Sequence, residues 1–130
     1  MRLLLDTHVF LWFISGDKRL KQAVKDTIRN PDNEVYLSVV SLWEAITKNQ
    51  IGKLPLPNPA ETFLPEQREQ HLISSLVLDE ASISQLAKLP NVHRDPFDRM
   101  LICQAIEHAL TIVTVDNIFH SYPVTVLDGI

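Results

Sequence analysis

Short unbroken runs of hydrophobic residues alternate along the chain with stretches of helical spacing. Leucine fills positions 3–5, directly before Asp6, and a continuous apolar run of this kind is typical of a strand that is buried on both faces. Similar runs, several of them rich in β-branched residues, predict further strands at 35–38, 72–78, 111–115 and 124–127.

Helices are predicted between these strands, from Thr7 to about Ile14, from Ser41 to about Gln50, from Asp79 to Lys88 and from Asp95 to about Ala109. Asp17 is expected to cap one more helix. The apolar face of that helix repeats every four residues, at positions 20, 24 and 28. A last helix is expected to start with Asn58 as its cap, and Pro65 to divide it into two short pieces.

The order of these elements defines the fold class. Strands that alternate with helices, and that are apolar throughout, favour a parallel sheet covered by helices on both faces. The sequence therefore predicts an α/β protein, a three-layer α/β/α sandwich with a mainly parallel sheet of four to five strands. A length of 130 residues is expected to form a single domain over 1–130.

Composition excludes several classes of protein. The chain is 45% hydrophobic and its 22% of charged residues are spread out, which excludes a disordered chain. No apolar run approaches the ~20 residues that cross a bilayer, and Asp6 and His8 interrupt the first run too early for a secretory signal. The single Cys103 can form no internal disulfide, so we expect a cytoplasmic protein in which this residue is an inert buried thiol.

The formal net charge of −4 argues at first against a nucleic-acid partner, because phosphate binding favours an excess of Lys and Arg. Clustered carboxylates that hold divalent ions would remove this objection. Two such ions would bring the loaded protein close to neutral. Net charge therefore does not decide the question.

Acidic residues recur where strands end and helices begin. Asp6 follows the first strand, Asp116 follows the fourth, and Glu44 falls in the first turn of the helix after the second strand. Asp95 and Asp98 open the helix that precedes the fourth strand. Ligands of open parallel sheets bind beyond the carboxyl ends of the strands, so we expect these acids to meet at one edge.

Each acid also has a purely structural interpretation. Asp6 and Asp116 would serve as helix caps, Ser41 with Glu44 matches a capping box, and the segment 95–98 matches a capped helix start. The set as a whole argues for a site, because carboxylates that meet at one edge repel one another and commonly share cations. Oxygen ligands with no histidine or thiolate beside them favour Mg²⁺ or Mn²⁺ over zinc, and such ions promote phosphodiester hydrolysis.

Four segments resemble the PIN-domain toxins of the VapC type: LLLDTHVFLW at 3–12, SLWEAITKNQIGKL at 41–54, HRDPFDRMLICQA at 93–105 and TIVTVDNIF at 111–119. The resemblance implies a parallel sheet between helices and an acidic pocket that binds Mg²⁺ or Mn²⁺ and cleaves RNA. It also implies a homodimer that a small VapB-like antitoxin holds inactive. Residue by residue, it assigns the pocket acids to Asp6, Glu44, Asp98 and Asp116. Asp95 is either an outer metal ligand or only a helix cap.

On this interpretation Asp6, Asp98 and Asp116 are the main metal ligands, while Glu44 completes the site or orients the attacking water. The hydroxyls of two threonines next to these acids either support the ligand carboxylates or are ordinary residues at strand ends. These threonines are Thr7 and Thr114.

Three basic residues lie near the acids in sequence, namely Lys48, Arg94 and Arg99. They are expected to contact RNA phosphate, to pair with the acids when no metal is bound, or to remain solvated. We assign structural roles to His8 and His93. Trp12 and Trp43 are expected to pack in the core or at a partner interface rather than to stack on bases.

Other α/β classes fit the residues less well. Haloacid-dehalogenase-like enzymes need a second aspartate at the position of His8, and receiver domains need paired acids near the first strand, where only Asp6 is present. The chain has three glycines, at positions 16, 52 and 129, which excludes a glycine-rich phosphate loop. A PIN-like module that binds a partner without cleaving RNA is the alternative that stays open.

Overall fold

The computed structural model describes residues 1–57 and 59–129, and within these ranges strands and helices alternate. The strands are β1 (Arg2–Leu5), β2 (Glu34–Ser38), β3 (Ser74–Leu76), β4 (Thr111–Thr114) and β5 (Thr125–Asp128). The helices are α1 (Thr7–Ser15), α2 (Gln22–Arg29), α3 (Val39–Gln50), α4 (Ala60–Gln70), α5 (Glu80–Ser84) and α6 (Pro96–His108). Two 3₁₀ turns span Gln85–Lys88 and Asn117–Ser121.

Within the described ranges, five strands form one parallel sheet in the order β3-β2-β1-β4-β5. The central strand β1 pairs with β2 on one side and with β4 on the other. The chain leaves β1 toward β2 and β3 and later returns to β4 on the opposite side, so the strand order reverses between β1 and β4. Ligand crevices of such sheets open at this point of reversal, beyond the carboxyl ends of the strands.

Two hydrophobic cores cover the two faces of the sheet. In β1, Leu3 and Leu5 pack into one core and Leu4 packs into the other, and all three are fully buried. The first core takes its helical partners from α1, α2, α3 and α4, and the second takes them mainly from α6. This arrangement explains why the strand is apolar at every position, and it confirms the predicted three-layer fold.

Two of the predicted helix starts are wrong. Asp17 does not cap α2, because its carboxylate accepts a hydrogen bond from the Arg19 amide and pairs with the Arg19 guanidinium in the preceding turn. The helix begins at Gln22, although Leu20 still packs in the core with the apolar face of α2. Helix α3 begins at Val39 rather than Ser41, since the strand passes directly into the helix there.

The region around α4 and α5 also differs from the prediction. Pro65 lies inside a continuous helix of 11 residues, where the burial of Ala60 and Leu64 outweighs the backbone hydrogen bond that proline cannot make. The predicted cap at Asn58 lies outside the described residues. Asp79 caps α5 as predicted, but the helix tightens into a 3₁₀ turn after Ser84.

No helix in the ranges 1–57 and 59–129 is long and apolar enough to span a membrane.

The residue that ends helix α6 has a strained backbone conformation, and a substitution there tests whether this conformation is present. Ala109 closes the helix at φ 53° and ψ 51°, a left-handed conformation that costs a residue with a Cβ about 1–2 kcal/mol. Ala109→Gly is therefore expected to raise the free energy of unfolding by about 0.5–1 kcal/mol, after the greater freedom of glycine in the unfolded chain is subtracted. Urea denaturation measures this change.

Ala81→Gly is the matched control, because Ala81 is equally exposed but lies within α5. This control should lower the free energy of unfolding by about 0.5–1 kcal/mol. If both substitutions destabilise the protein equally, Ala109 is not in the left-handed conformation.

Candidate functional site

A pocket of about 540 Å³ opens where β1 and β4 end, at the point where the strand order reverses. Its lining residues are Asp6, His8, Trp12, Glu44, Lys48, His93, Asp95, Asp98, Val115, Asp116 and Asn117. All five acids that the sequence singled out are among them. The structure therefore brings together side chains from α3, from α6 and from the ends of two neighbouring strands.

Asp6 is almost completely enclosed. It is 4% exposed, and the backbone N–H of Thr7 donates to its Oδ1 at 2.7 Å. The Thr114 hydroxyl donates to its Oδ2 at 2.8 Å. The same Thr114 oxygen accepts a hydrogen bond from the Asp116 backbone N–H at 3.0 Å, so one buried hydroxyl connects the acids that follow β1 and β4.

Glu44 is not part of a capping box. Ser38 caps α3 by accepting a hydrogen bond from the Val40 amide, which places Ser41 and Glu44 inside the helix and on its buried face. The error arose because Ser41 and Glu44 have the spacing of a capping box although the helix already starts at Val39.

The carboxylate of Glu44 is held from two sides. The Thr7 hydroxyl donates to its Oε1 at 2.7 Å and lies 2.9 Å from the Ser41 hydroxyl, while Lys48, one helical turn later, pairs with its Oε2. Both carboxylate oxygens therefore have a partner within the protein. Thr7 supports a pocket acid, which is one of the two roles that the sequence left open for it.

Asp95 caps α6, since its Oδ1 accepts hydrogen bonds from the Phe97 and Asp98 amides at 2.9 and 3.1 Å. It also lines the pocket. Asp98 lies in the first turn of the helix, and its Oδ2 is 2.8 Å from the Nε2 of His93.

The structure places His93 in the pocket, which corrects the purely structural role expected for it from the sequence. Donor atoms of His93, Asp98 and Asp116 all lie within 4.8 Å of one another. The premise that no histidine lies beside the carboxylates was therefore wrong. No local sequence pattern signals this contact, because the loop before α6 turns back on the first turn of that helix through its contacts with Tyr122 and Arg99.

The electrostatics of the pocket reflect crowded carboxylates. Burial raises the pKa of Asp6 to about 6. Burial and the nearby charge of Asp6 raise the pKa of Asp98 to about 7, against the opposing hydrogen bond from His93. Burial would lower the pKa of Lys48, but its hydrogen bond to Glu44 and the surrounding acids raise it instead. A cation in the pocket would relieve this repulsion, and the carboxylate oxygens of the pocket acids suit a hard divalent ion such as Mg²⁺ or Mn²⁺.

The three basic residues that the sequence placed near the acids do not all line the pocket. Lys48 lines the pocket and forms the ion pair with a pocket acid that the sequence suggested. Arg94 and Arg99 line a different depression, and Arg99 donates to the backbone carbonyls of Pro90 and His93. Arg99 therefore holds the loop before α6 rather than a carboxylate.

The remaining side chains divide between the pocket, the core and the surface. His8 is exposed and lines the pocket, contrary to the structural role assigned to it. Trp12 packs against the first core under the guanidinium of Arg19, 4.3 Å from its ring centre, and also lines the pocket. Trp43 is 57% exposed, which excludes a place in the core. Cys103 is fully buried, as predicted.

Comparison with known proteins shows the class to which this fold and pocket belong. The sequence matches the family model of the PIN domain over residues 3–124. The chain therefore belongs to the PIN-domain family. It is 28% identical over 127 residues to Ribonuclease VapC22 of Mycobacterium tuberculosis, and this match covers 95% of the chain and 96% of the relative.

Solved structures share the fold at low sequence identity. VapBC2 from Rickettsia felis, bound to a DNA fragment from its promoter, gives a TM-score of 0.69 at 13% identity, with 98% of each chain covered. FitAcB from Neisseria gonorrhoeae gives a TM-score of 0.65 at 24% identity, with 96% of each chain covered. The predicted resemblance to VapC-type PIN domains is confirmed.

The raised pKa values predict how stability depends on pH in the absence of metal. Asp6 and Asp98 bind their protons more tightly in the folded chain, with pKa values of about 6 and about 7, than in the unfolded chain, where the value is 3.8. The two protonated carboxyl groups stabilise the fold fully at a pH below their pKa in the unfolded chain. This stabilisation is lost as the pH rises through their pKa values in the folded chain. The thermal midpoint of unfolding in EDTA is therefore expected to decrease as the pH rises from about 5 to about 7.5.

Asp98→Asn provides the control, because it removes one of the two titrating groups and leaves a side chain that can still hydrogen-bond to His93. The fall in the thermal midpoint should be smaller in this variant. An equal fall in both proteins would show that Asp98 titrates normally.

Proposed function

We propose that the protein is a metal-dependent endoribonuclease that hydrolyses RNA phosphodiester bonds with Mg²⁺ or Mn²⁺. The observation that carries the proposal is the convergence of Asp6, Asp98 and Asp116 on one pocket, with raised pKa values at Asp6 and Asp98. Helix capping explains one hydrogen bond at each of Asp6 and Asp116, but it does not explain why separate elements bring their acids together. When bound, a divalent ion lowers the pKa of a water molecule and stabilises negative charge on a phosphate.

In this proposal Asp6, Asp98 and Asp116 hold the ion. The buried hydroxyl of Thr114 fixes the Asp6 carboxylate and the start of the segment that carries Asp116, so the ligands of two strands keep a constant spacing. Asp95 fixes the start of α6 and thereby the position of Asp98.

Glu44 has a different role from these ligands. Its carboxylate is already fixed by Thr7 and Lys48, so it orients the attacking water by accepting a hydrogen bond from it. Lys48 is partly exposed, at 35% of its side chain, and its ammonium group lies at the mouth of the pocket beside the acids. It is therefore the basic side chain that we propose for the substrate phosphate.

The relatives support RNA as the substrate and a toxin as the biological role. The relative that matches over almost the full chain is named a ribonuclease, and one structural neighbour, VapBC-5 from Mycobacterium tuberculosis, is described as a member of the VapBC family of toxin–antitoxin systems. We infer that the chain is a cytoplasmic toxin which a small VapB-like antitoxin inhibits. A homodimer is part of the same proposal. The exposed Trp43 and the neighbouring Met100, which line an apolar depression, provide a surface for contact with a partner.

Cleavage of RNA tests the proposed activity directly. Purified protein, freed of any antitoxin, is expected to cleave RNA in the presence of Mg²⁺ or Mn²⁺ and to stop when EDTA is added. Asp6→Asn should lower the rate by at least about 100-fold, because the variant loses a charged ligand. Asp32→Asn is the control, since Asp32 is exposed in a turn outside the pocket and its loss should leave the rate unchanged.

If cleavage survives both EDTA and Asp6→Asn, the activity belongs to another site or to a contaminant. If the folded protein cleaves no RNA with either metal, the domain is a binding module instead.

Toxicity is a separate consequence of the proposal. Induced expression of the chain without its antitoxin is expected to arrest growth, and the Asp98→Asn variant, expressed to the same level, should not. Culture density after induction measures the difference. Equal arrest by both proteins would indicate a burden of overexpression and not RNA cleavage.

A further inference from the structure

We propose that His93 is a nitrogen ligand of the pocket's metal ion and that it makes the site selective for Mn²⁺ over Mg²⁺. This inference rests on the proposed metal site and adds a ligand that is not a carboxylate. It concerns a side chain in the loop before α6, outside the four pocket acids.

The distances suit coordination of one ion. His93 Nε2 lies 2.8 Å from Asp98 Oδ2, and both lie within 4.8 Å of a donor atom of Asp116. Neighbouring ligands of an octahedral ion with bonds of about 2.1 Å are about 3 Å apart, and opposite ligands are about 4.2 Å apart. The 2.8 Å between His93 and Asp98 suits neighbouring ligands of one ion, and Asp116, whose donor atom lies within 4.8 Å of both, needs at most a small shift to join them.

The loop is built so that the ring stays at the pocket. The backbone N–H of His93 donates to the Tyr122 hydroxyl at 2.7 Å, and its carbonyl accepts from Arg99 Nη1 at 3.2 Å. Arg99 also binds the Pro90 carbonyl. The side chain of His93 is 25% exposed, so the ring is largely enclosed but still open to the pocket. These contacts fix the backbone of His93, and the ring needs no loop closure to reach an ion.

Glu44 does not compete for this position. Its two oxygens are already engaged by Thr7 and Lys48. The ligand set next to Asp98 is therefore completed by an imidazole.

A nitrogen ligand changes which ion the pocket prefers. Mg²⁺ binds oxygen almost exclusively and keeps several of its waters, whereas Mn²⁺ lies in the transition series that also accepts imidazole nitrogen. A pocket with His93 among its ligands should bind Mn²⁺ more tightly than one built of carboxylates alone, with little effect on Mg²⁺.

The alternative role for His93 is to position Asp98 through their hydrogen bond without touching the ion. His93→Gln separates the two roles, because the amide of glutamine can still donate to the Asp98 carboxylate but provides no imidazole nitrogen. His8→Gln is the matched control, because His8 lines the same pocket but is not in the group of close donors.

Pulsed electron paramagnetic resonance on the Mn²⁺-loaded full chain detects the ligand directly. The wild-type protein and His8→Gln should both show electron spin-echo modulation from a coordinated histidine nitrogen, and His93→Gln should lose it. Absence of this modulation in the wild-type protein, or its persistence in His93→Gln, would overturn the proposal.

Isothermal titration calorimetry measures the selectivity. His93→Gln is expected to weaken Mn²⁺ binding by at least about tenfold and Mg²⁺ binding by less than about threefold. Equal weakening of both ions would assign His93 to the positioning of Asp98 instead. Circular dichroism on the same samples verifies that the variant is folded.

Asp98→Asn separates failure of this inference from failure of the proposed function. If Asp98→Asn abolishes Mn²⁺ binding while His93→Gln leaves it unchanged, the metal site stands and only the histidine ligand is wrong. If neither variant affects Mn²⁺ binding, the pocket is not the metal site and both proposals fall.

Discussion

The burial of carboxylates at one edge of the sheet, together with their mutual repulsion, is the constraint on which the rest of the structure depends. Asp6 follows β1 and Asp116 follows β4. Because these two strands are parallel neighbours in the sheet, the two acids lie at the same edge. Keeping these buried carboxylates charged is costly, because burial raises the pKa of Asp6, and burial together with the nearby charge of Asp6 raises the pKa of Asp98. The protein offsets this cost with hydrogen bonds and with a cation from Lys48, while leaving an open pocket.

The supports of these acids come from elements that also build the fold. Thr114 is the buried last residue of β4, and Thr7 begins α1 just after β1. Residues at the junctions between strands and helices therefore hold the carboxylates in place. Such supports fix the geometry of the site before an ion arrives. The acids would lose their arrangement if the register between β1 and β4 shifted. Because the two cores pack on these strands and hold their register, the function of the pocket depends on the packing of the cores.

The sequence predicted the strands, the parallel sheet and the edge at which the acids meet, because these depend on unbroken apolar runs and on residues next to them in sequence. It failed where tertiary contacts decide the outcome. Pro65 stays inside a helix because the packing of α4 outweighs one lost hydrogen bond. His93 reaches Asp98 because contacts of its loop with Tyr122 and Arg99 turn it toward the pocket, and neither contact has a local sequence signature.

The central claim, that acids from separate elements hold one shared cation, is tested most directly by crystals of the chain grown with Mn²⁺ and measured at a wavelength where manganese scatters anomalously. The account predicts an anomalous peak in the pocket between Asp6, Asp98 and Asp116. A map with saturating Mn²⁺ that shows no peak there, or a peak only elsewhere on the molecule, would contradict it.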